Sequence, residues 1–293
     1  MDVELIVDSK SRLGEGPSWD REKGVLYWVD ILQQQLHCYN PVEHKNITVE
    51  LDQAPGAVAP RSSDEVVLAL ENGFYFYNWK LNKLEPIVNP EEHLPRNRFN
   101  DGKCDPAGRF FAGTMDKEEE ERSGTLYCLE ENLSVKEKVT GVGISNGIAW
   151  SVDHTHMYYI DTFENQVYRY DYNRDTGEIS HPASVISFEN EEGAPDGMTI
   201  DEEGMLWIAH FGGAKVSRWN PATGKKVEEI PVPALNVTCC VFGGVNMNEL
   251  FITTARKDMS EEDLQRYPHA GGLFKVTTNV SGCESYRFNG TFK

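Results

Sequence analysis

No apolar run in this chain approaches the roughly 20 residues that a membrane-spanning helix needs. The opening stretch, MDVELIVDSKSRLGEG, lacks a basic start and has only a very short apolar segment, so it does not read as a secretory signal. Cysteine is sparse and scattered: six in 293 residues, with no CxxC pair. That argues against a disulfide frame and predicts free buried thiols in a reducing compartment, the cytoplasm. The N-x-S/T tripeptides starting at Asn46, Asn132, Asn236, Asn279 and Asn289 would matter only in a secreted chain and are read as chance. Basic charge is short too, with 28 Lys and Arg against 47 Asp and Glu and a net charge of -19. Such a field repels phosphate backbones, which excludes nucleic acid as a partner, and it keeps a protein soluble while attracting cations. Long amphipathic helices are missing as well; the best candidate, DMSEEDLQRY, amounts to one or two turns. No D-x-D-x-D-G loop occurs, so an EF-hand has no support.

What is present is a repeat. Apolar runs begin at 25 (VLYWVD), 66 (VVLAL), 109 (RFFAGT), 157 (MYYIDT), 206 (LWIAHF) and 250 (LFITTA), spaced by about 41 to 49 residues. Turn signals such as DREKG, DPAGR and DEEG often precede them. A second segment commonly follows, alternating with the two-residue period of a half-buried strand: QLHCYN, GFYFYN, GTLYCLE, QVYRYDY, KVSRWN and GLFKV. Short strands repeated at this period without helices are the pattern of a β-propeller. One blade cannot bury both its faces, so six blades stack into a ring. The expectation is an all-β, six-bladed propeller filling residues 1–293 as a single domain, with MDKEEEERSG and NPEEHLPRN as loops within blades.

Just upstream of four apolar runs a polar residue meets a glycine: EGPSWD from Glu15, NDGKCD from Asn100, NGIAWS from Asn146 and DGMTID from Asp196. The corresponding copies PGAVAP and NVTCCV lack the acid. In a propeller the innermost strand of each blade lines the channel, so residues at one phase of successive repeats face one axis. A lone polar–glycine pair is ordinary turn chemistry; its recurrence at one phase of a closed ring is not. Glu15, Asn146 and Asp196 then offer only oxygen donors, which suit one hard divalent ion such as Ca²⁺, Mg²⁺ or Mn²⁺, with Zn²⁺ also able to accept oxygens. Unpaired, such groups would be costly to desolvate.

The stretches LGEGPSWD, RNRFNDGKCDPAGRFFAGTM, ISNGIAWSVDHTHMYYIDT, PDGMTIDEEGMLWIAHFGG and AGGLFKVT resemble the SMP-30/gluconolactonase family, and the likeness runs from about Leu13 to Val276. The resemblance implies a six-bladed propeller with one divalent metal in its channel and hydrolysis of aldonolactones such as gluconolactone. It implies Glu15, Asn146 and Asp196 as metal ligands, the same three chosen by phase. Arg98 and Asn100 of NRFND are implied as substrate contacts. A third contact, an acid shortly after GTM, falls by position on Glu118, first of four consecutive glutamates that otherwise read as solvated surface.

The expected chemistry is attack of water on the lactone carbonyl, with Asp196 as proton acceptor and Arg98 and Asn100 orienting sugar hydroxyls. Two other classes stay open: a different ester or phosphotriester hydrolase on the same scaffold, and a calcium-binding regulatory protein. His154 and His156 read as an exposed, solvated pair, and Cys239 and Cys240 as inert core thiols. A sugar lactone is the expected partner, and a monomer the expected state, because a closed ring leaves few free strand edges.

Overall fold

The computed structural model describes residues 2–291, which form six four-stranded antiparallel sheets. The innermost strands are Gly14–Asp20, Pro55–Pro60, Asn97–Cys104, Ser145–Trp150, Ala194–Ile200 and Asn236–Gly243. Each packs beside the innermost strands of the two neighbouring blades, so the ring closes. The architecture is the six-bladed propeller that the repeat predicts. The apolar runs of the sequence are the second strands, among them Val25–Asp30, His156–Asp161 and Leu206–Phe211. Val25–Asp30 is buried throughout, because both faces of a blade are covered by its neighbours. Outer strands such as Lys45–Glu50 are mostly polar and exposed.

The apolar core lies between blades rather than on the axis. Val58, Leu68 and Tyr77 of the second blade pack on Tyr27, Val29 and Leu36 of the first. Phe111, Leu126 and Cys128 of the third pack on Ile148, Met157 and Tyr159 of the fourth. All six cysteines are free, four of them fully buried. The sixth blade contains only three strands from the end of the repeat; its outer position is filled by Glu4–Val7, which pairs with Leu273–Thr277. The ring is thus closed by its own N-terminal segment. The DMSEEDLQRY segment forms the short helix Glu261–Arg266, started by a reciprocal Ser260–Asp263 capping box. Among the described residues no helix is long and apolar enough to cross a membrane.

One irregularity recurs at the same height in every blade. Each inner strand shifts register against its neighbour: between Glu15 and Ser18, Pro55 and Ala57, Phe99 and Gly102, Ser145 and Ile148, Pro195 and Met198, and Val237 and Cys239. A bulge bends a strand and re-aims the side chains at it. These six bulges form a ring of their own, and the polar–glycine motifs of the sequence lie in or beside four of them.

Candidate active site

The bulges bring Glu15, Asn146 and Asp196 together from blades one, four and five. The Asp196 carboxyl lies beside the side chains of both Glu15 and Asn146. All three are nearly inaccessible, at 4%, 4% and 6% exposure. The glycine after each acid or amide has a steric reason beyond turn chemistry. Gly147 and Gly197 take ordinary φ values, but neighbouring inner strands press against them. A Cβ on Gly197 would overlap the Cys239 side chain and lie 2.8 Å from the Cys239 Cα; one on Gly147 would lie 2.9 Å from the Asp196 carbonyl oxygen. Only Gly16, at φ 55°, also uses the left-handed freedom of glycine.

Burial and mutual repulsion set the electrostatics of this cluster. Burial, then the neighbouring Asp196 and Asp101, push the Glu15 carboxyl well above the usual carboxylate range. Burial and the charge of Asp101 do the same to Asp196. Asp101, buried in the same inner strand as Asn100, is itself raised by desolvation. Three carboxyls so placed must share protons or a counter-cation. Two carboxylates and an amide oxygen are a donor set for a hard divalent ion. The residues present therefore fit a divalent metal.

A cavity of about 220 Å³ opens directly beside these donors. Its walls include Glu15, Asn146 and Asp196 together with Arg98, Asn100, Thr162, Glu119 and Lys257, and apolar sides from Leu13, Met115, Ile144 and Phe211. Asn100 is tied into the cluster: its amide nitrogen donates to Ser145 O at 2.8 Å and to Asn146 Oδ1 at 3.3 Å. Asn146 in turn donates to Thr162 Oγ1 at 2.9 Å, and that hydroxyl donates to Pro195 O at 2.8 Å. Arg98 is held by its Nη1 alone, which donates to Asn100 Oδ1 at 2.7 Å and Phe99 O at 3.0 Å. No ion pair engages this buried guanidinium among the described residues, so its other donors are left for whatever occupies the cavity.

Of the four consecutive glutamates, the one expected at the site, Glu118, is not the one that reaches this cavity. Glu118 is exposed and outside the cavity wall, whereas Glu119 lines it. The cause is local backbone geometry. The loop wraps around the Asp116 carboxylate, which accepts from the amides of Glu120 at 3.1 Å and Glu121 at 3.2 Å. Glu119 takes a left-handed conformation at φ 59°, which turns its side chain inward. Four identical residues in a row gave no sign of that kink. Thr162, Asp101 and Lys257 also escaped the sequence reading. Asp101 alone had a signal there, as the acid of the NDG copy of the motif.

Two side readings need adjustment or hold. His154 is half-buried rather than solvated, with Nε2 hydrogen-bonded to the Tyr286 hydroxyl at 2.8 Å, and it lies away from this cavity. Cys239 and Cys240 are buried strand thiols, and burial raises both, Cys240 to about 12, so both are protonated and inert at neutral pH.

A family profile described as "SMP-30/Gluconolactonase/LRE-like region" matches residues 13–256. The chain belongs to this family. Among members of the SMP-30/gluconolactonase family, a candidate sugar lactone lactonase of Bacillus subtilis (strain 168), YvrE, is 42% identical over 290 residues, covering 99% of each chain. Human regucalcin is 39% identical over 294 residues, covering 98% of each. The crystal structure of a calcium-binding protein, regucalcin, from Agrobacterium tumefaciens superposes with a TM-score of 0.93 at 27% identity, covering 97% of this chain and 96% of that one.

Proposed function

We propose that this protein is a divalent-metal-dependent lactonase that opens aldonolactones of the gluconolactone type to sugar acids. The observation that carries the reading is the joint position of Glu15, Asn146 and Asp196 beside Arg98 and Asn100 on one 220 Å³ cavity. The kinship with a candidate sugar lactone lactonase supports the reaction class, and the regucalcin kinship supports a metal.

Glu15, Asn146 and Asp196 would hold the ion, which when bound supplies Lewis acidity toward the ester carbonyl and a more acidic water. The chain's own residues do the rest. Arg98 and Glu119 grip hydroxyls on the sugar ring, the first by charge-assisted donation and the second by acceptance. Asn100, locked to Ser145 O, keeps Arg98 aimed into the cavity and so fixes the ring over the donor cluster. Asp196 accepts the proton of the attacking water as the new C–O bond forms. The ester C–O bond then breaks, and the same proton passes to the departing ring oxygen, leaving an open-chain hydroxy acid. The apolar side formed by Met115, Ile144 and Phe211 limits bulk water around the carbonyl.

The test is hydrolysis of several aldonolactones by chelator-treated protein, with Mg²⁺, Ca²⁺, Mn²⁺ or Zn²⁺ restored singly. Turnover should vanish with the chelator and return with at least one ion. Asp196→Asn should reduce kcat about 10²- to 10⁴-fold while the fold persists by circular dichroism. Normal turnover by that variant would remove Asp196 from its role. A calcium-handling function has one specific support, the calcium-binding description of the Agrobacterium neighbour. Ion binding without turnover of any lactone under any of the four ions would favour it.

A further inference from the structure

We propose that Lys257 is a specificity-determining residue of this site, donating to the distal hydroxyls of a sugar lactone or to the carboxylate of its product; the inference rests on the lactonase reading and extends it.

Lys257 follows the strand Glu249–Ala255 of the sixth blade. Its backbone is pinned from two sides: its amide donates to Arg12 O at 2.9 Å, and its carbonyl accepts from the side chain of the buried Asn236 at 2.8 Å. That fixes where the side chain starts, and it lines the same cavity as Arg98 and Asp196. There the ammonium forms an ion pair with Glu119, which comes from the third blade. In a ring of six, the third and sixth blades face each other, so this pair spans the mouth of the cavity. Glu119 Oε1 is the ammonium's only hydrogen-bond partner among the described residues. Asp258, at 3.8 Å, is too far to accept a hydrogen bond. Two of the three donors of Lys257 are thus uncommitted at the cavity wall.

Charge points the same way. Arg98 and Lys257 place two cationic side chains on the cavity wall, where the carboxylate of a product would meet them. Without Lys257, Glu119 would lose its ion-pair partner. A lactone rich in hydroxyls meets both members of the pair, acceptor and donor side by side; a bare lactone ring meets neither.

The experiment compares D-glucono-δ-lactone with δ-valerolactone, which has the same ester ring but no hydroxyls, in the intact protein and in Lys257→Met and Lys257→Arg. The methionine keeps the stem and removes the charge. Lys257→Met should lower kcat/KM for gluconolactone about 10- to 100-fold, mainly through KM, and that for δ-valerolactone by less than about threefold. Lys257→Arg should recover part of the gluconolactone loss. Gluconate binding, followed by calorimetry with the supporting metal present, should weaken in parallel in Lys257→Met. An equal loss for both lactones would mean that Lys257 only holds the blades or the metal cluster, and would overturn the assignment. So would an unchanged KM for gluconolactone. If wild-type protein opens no lactone yet binds gluconate in a Lys257-dependent way, the lactonase reading fails and the binding role of Lys257 stands. If it binds no gluconate and opens no lactone, both fail.

Discussion

At the scale of single residues, His37 has the clearest dependence on acidity. Its ring stacks on Trp28 with centroids 3.8 Å apart, and Nδ1 lies 3.0 Å from both Asn46 Nδ2 and Thr48 Oγ1. The amide donor makes Nδ1 an acceptor, so the neutral ring carries its proton on Nε2, which is buried without a partner. Burial lowers the pKa of His37 from 6.5 to about 4. Below pH 6.5 the unfolded chain takes up a proton that the folded chain refuses. This contribution to stability is therefore complete above 6.5, is lost as pH falls toward 4, and reaches about 3 kcal/mol. Urea unfolding at pH 7 and pH 4.5 should show wild type losing more stability on acidification than His37→Phe by a sizeable part of that amount. Parallel losses in the two proteins would remove His37 as the cause.

At the scale of the element, the inner strands decide the site, and their spacing leaves no slack. Gly197→Ala would drive a methyl group into Cys239 of the adjacent blade. The expected cost is about 1–3 kcal/mol, read as a lower midpoint in chemical denaturation. Metal affinity should fall as well, since Asp196 is the neighbouring residue in the same bulge. Adding Cys239→Ala should restore part of both. A single Gly197→Ala variant with unchanged denaturation would show that the strands have room to part. The strands themselves were legible, because burial on both faces or one face writes either a continuous or an alternating apolar pattern. The motif phase also picked out Glu15, Asn146 and Asp196. The bulges were not legible: an extra residue leaves no mark on hydrophobic pattern. The inward turn of Glu119 depends on amide contacts to Asp116, which no side-chain pattern encodes. Glu91, read only as part of a loop, is buried and accepts from Thr114 Oγ1 at 2.8 Å, Asn97 Nδ2 at 3.0 Å and the Tyr127 hydroxyl at 3.1 Å. Those three partners come from separate positions in the third blade, so the environment exists only after folding.

For the whole molecule, the ring depends on the pairing of Glu4–Val7 with Leu273–Thr277. Removing residues 2–8 exposes the edge of Leu273–Thr277 and uncovers Leu5, Ile6 and Val7, which pack on the cluster that joins the fifth, sixth and first blades. The truncated protein should melt about 10 °C lower and should self-associate through the bared edge, as calorimetry and light scattering would report. An unaltered melting temperature would mean that the remaining interfaces hold the circle alone. Residue repeats announced six units, but which terminus completes the last one was invisible, since Glu4–Val7 is only four residues long.

That arrangement also orders events in time. The strand Glu4–Val7 finds its partner only when the segment 273–277 has been made, and until then it waits with an open edge. Lys257 likewise follows Glu119 by 138 residues, so the pair across the cavity forms only after that stretch has been made. Assembly of the finished cavity therefore waits for residue 277, and a chain halted before residue 273 lacks the partner of Glu4–Val7.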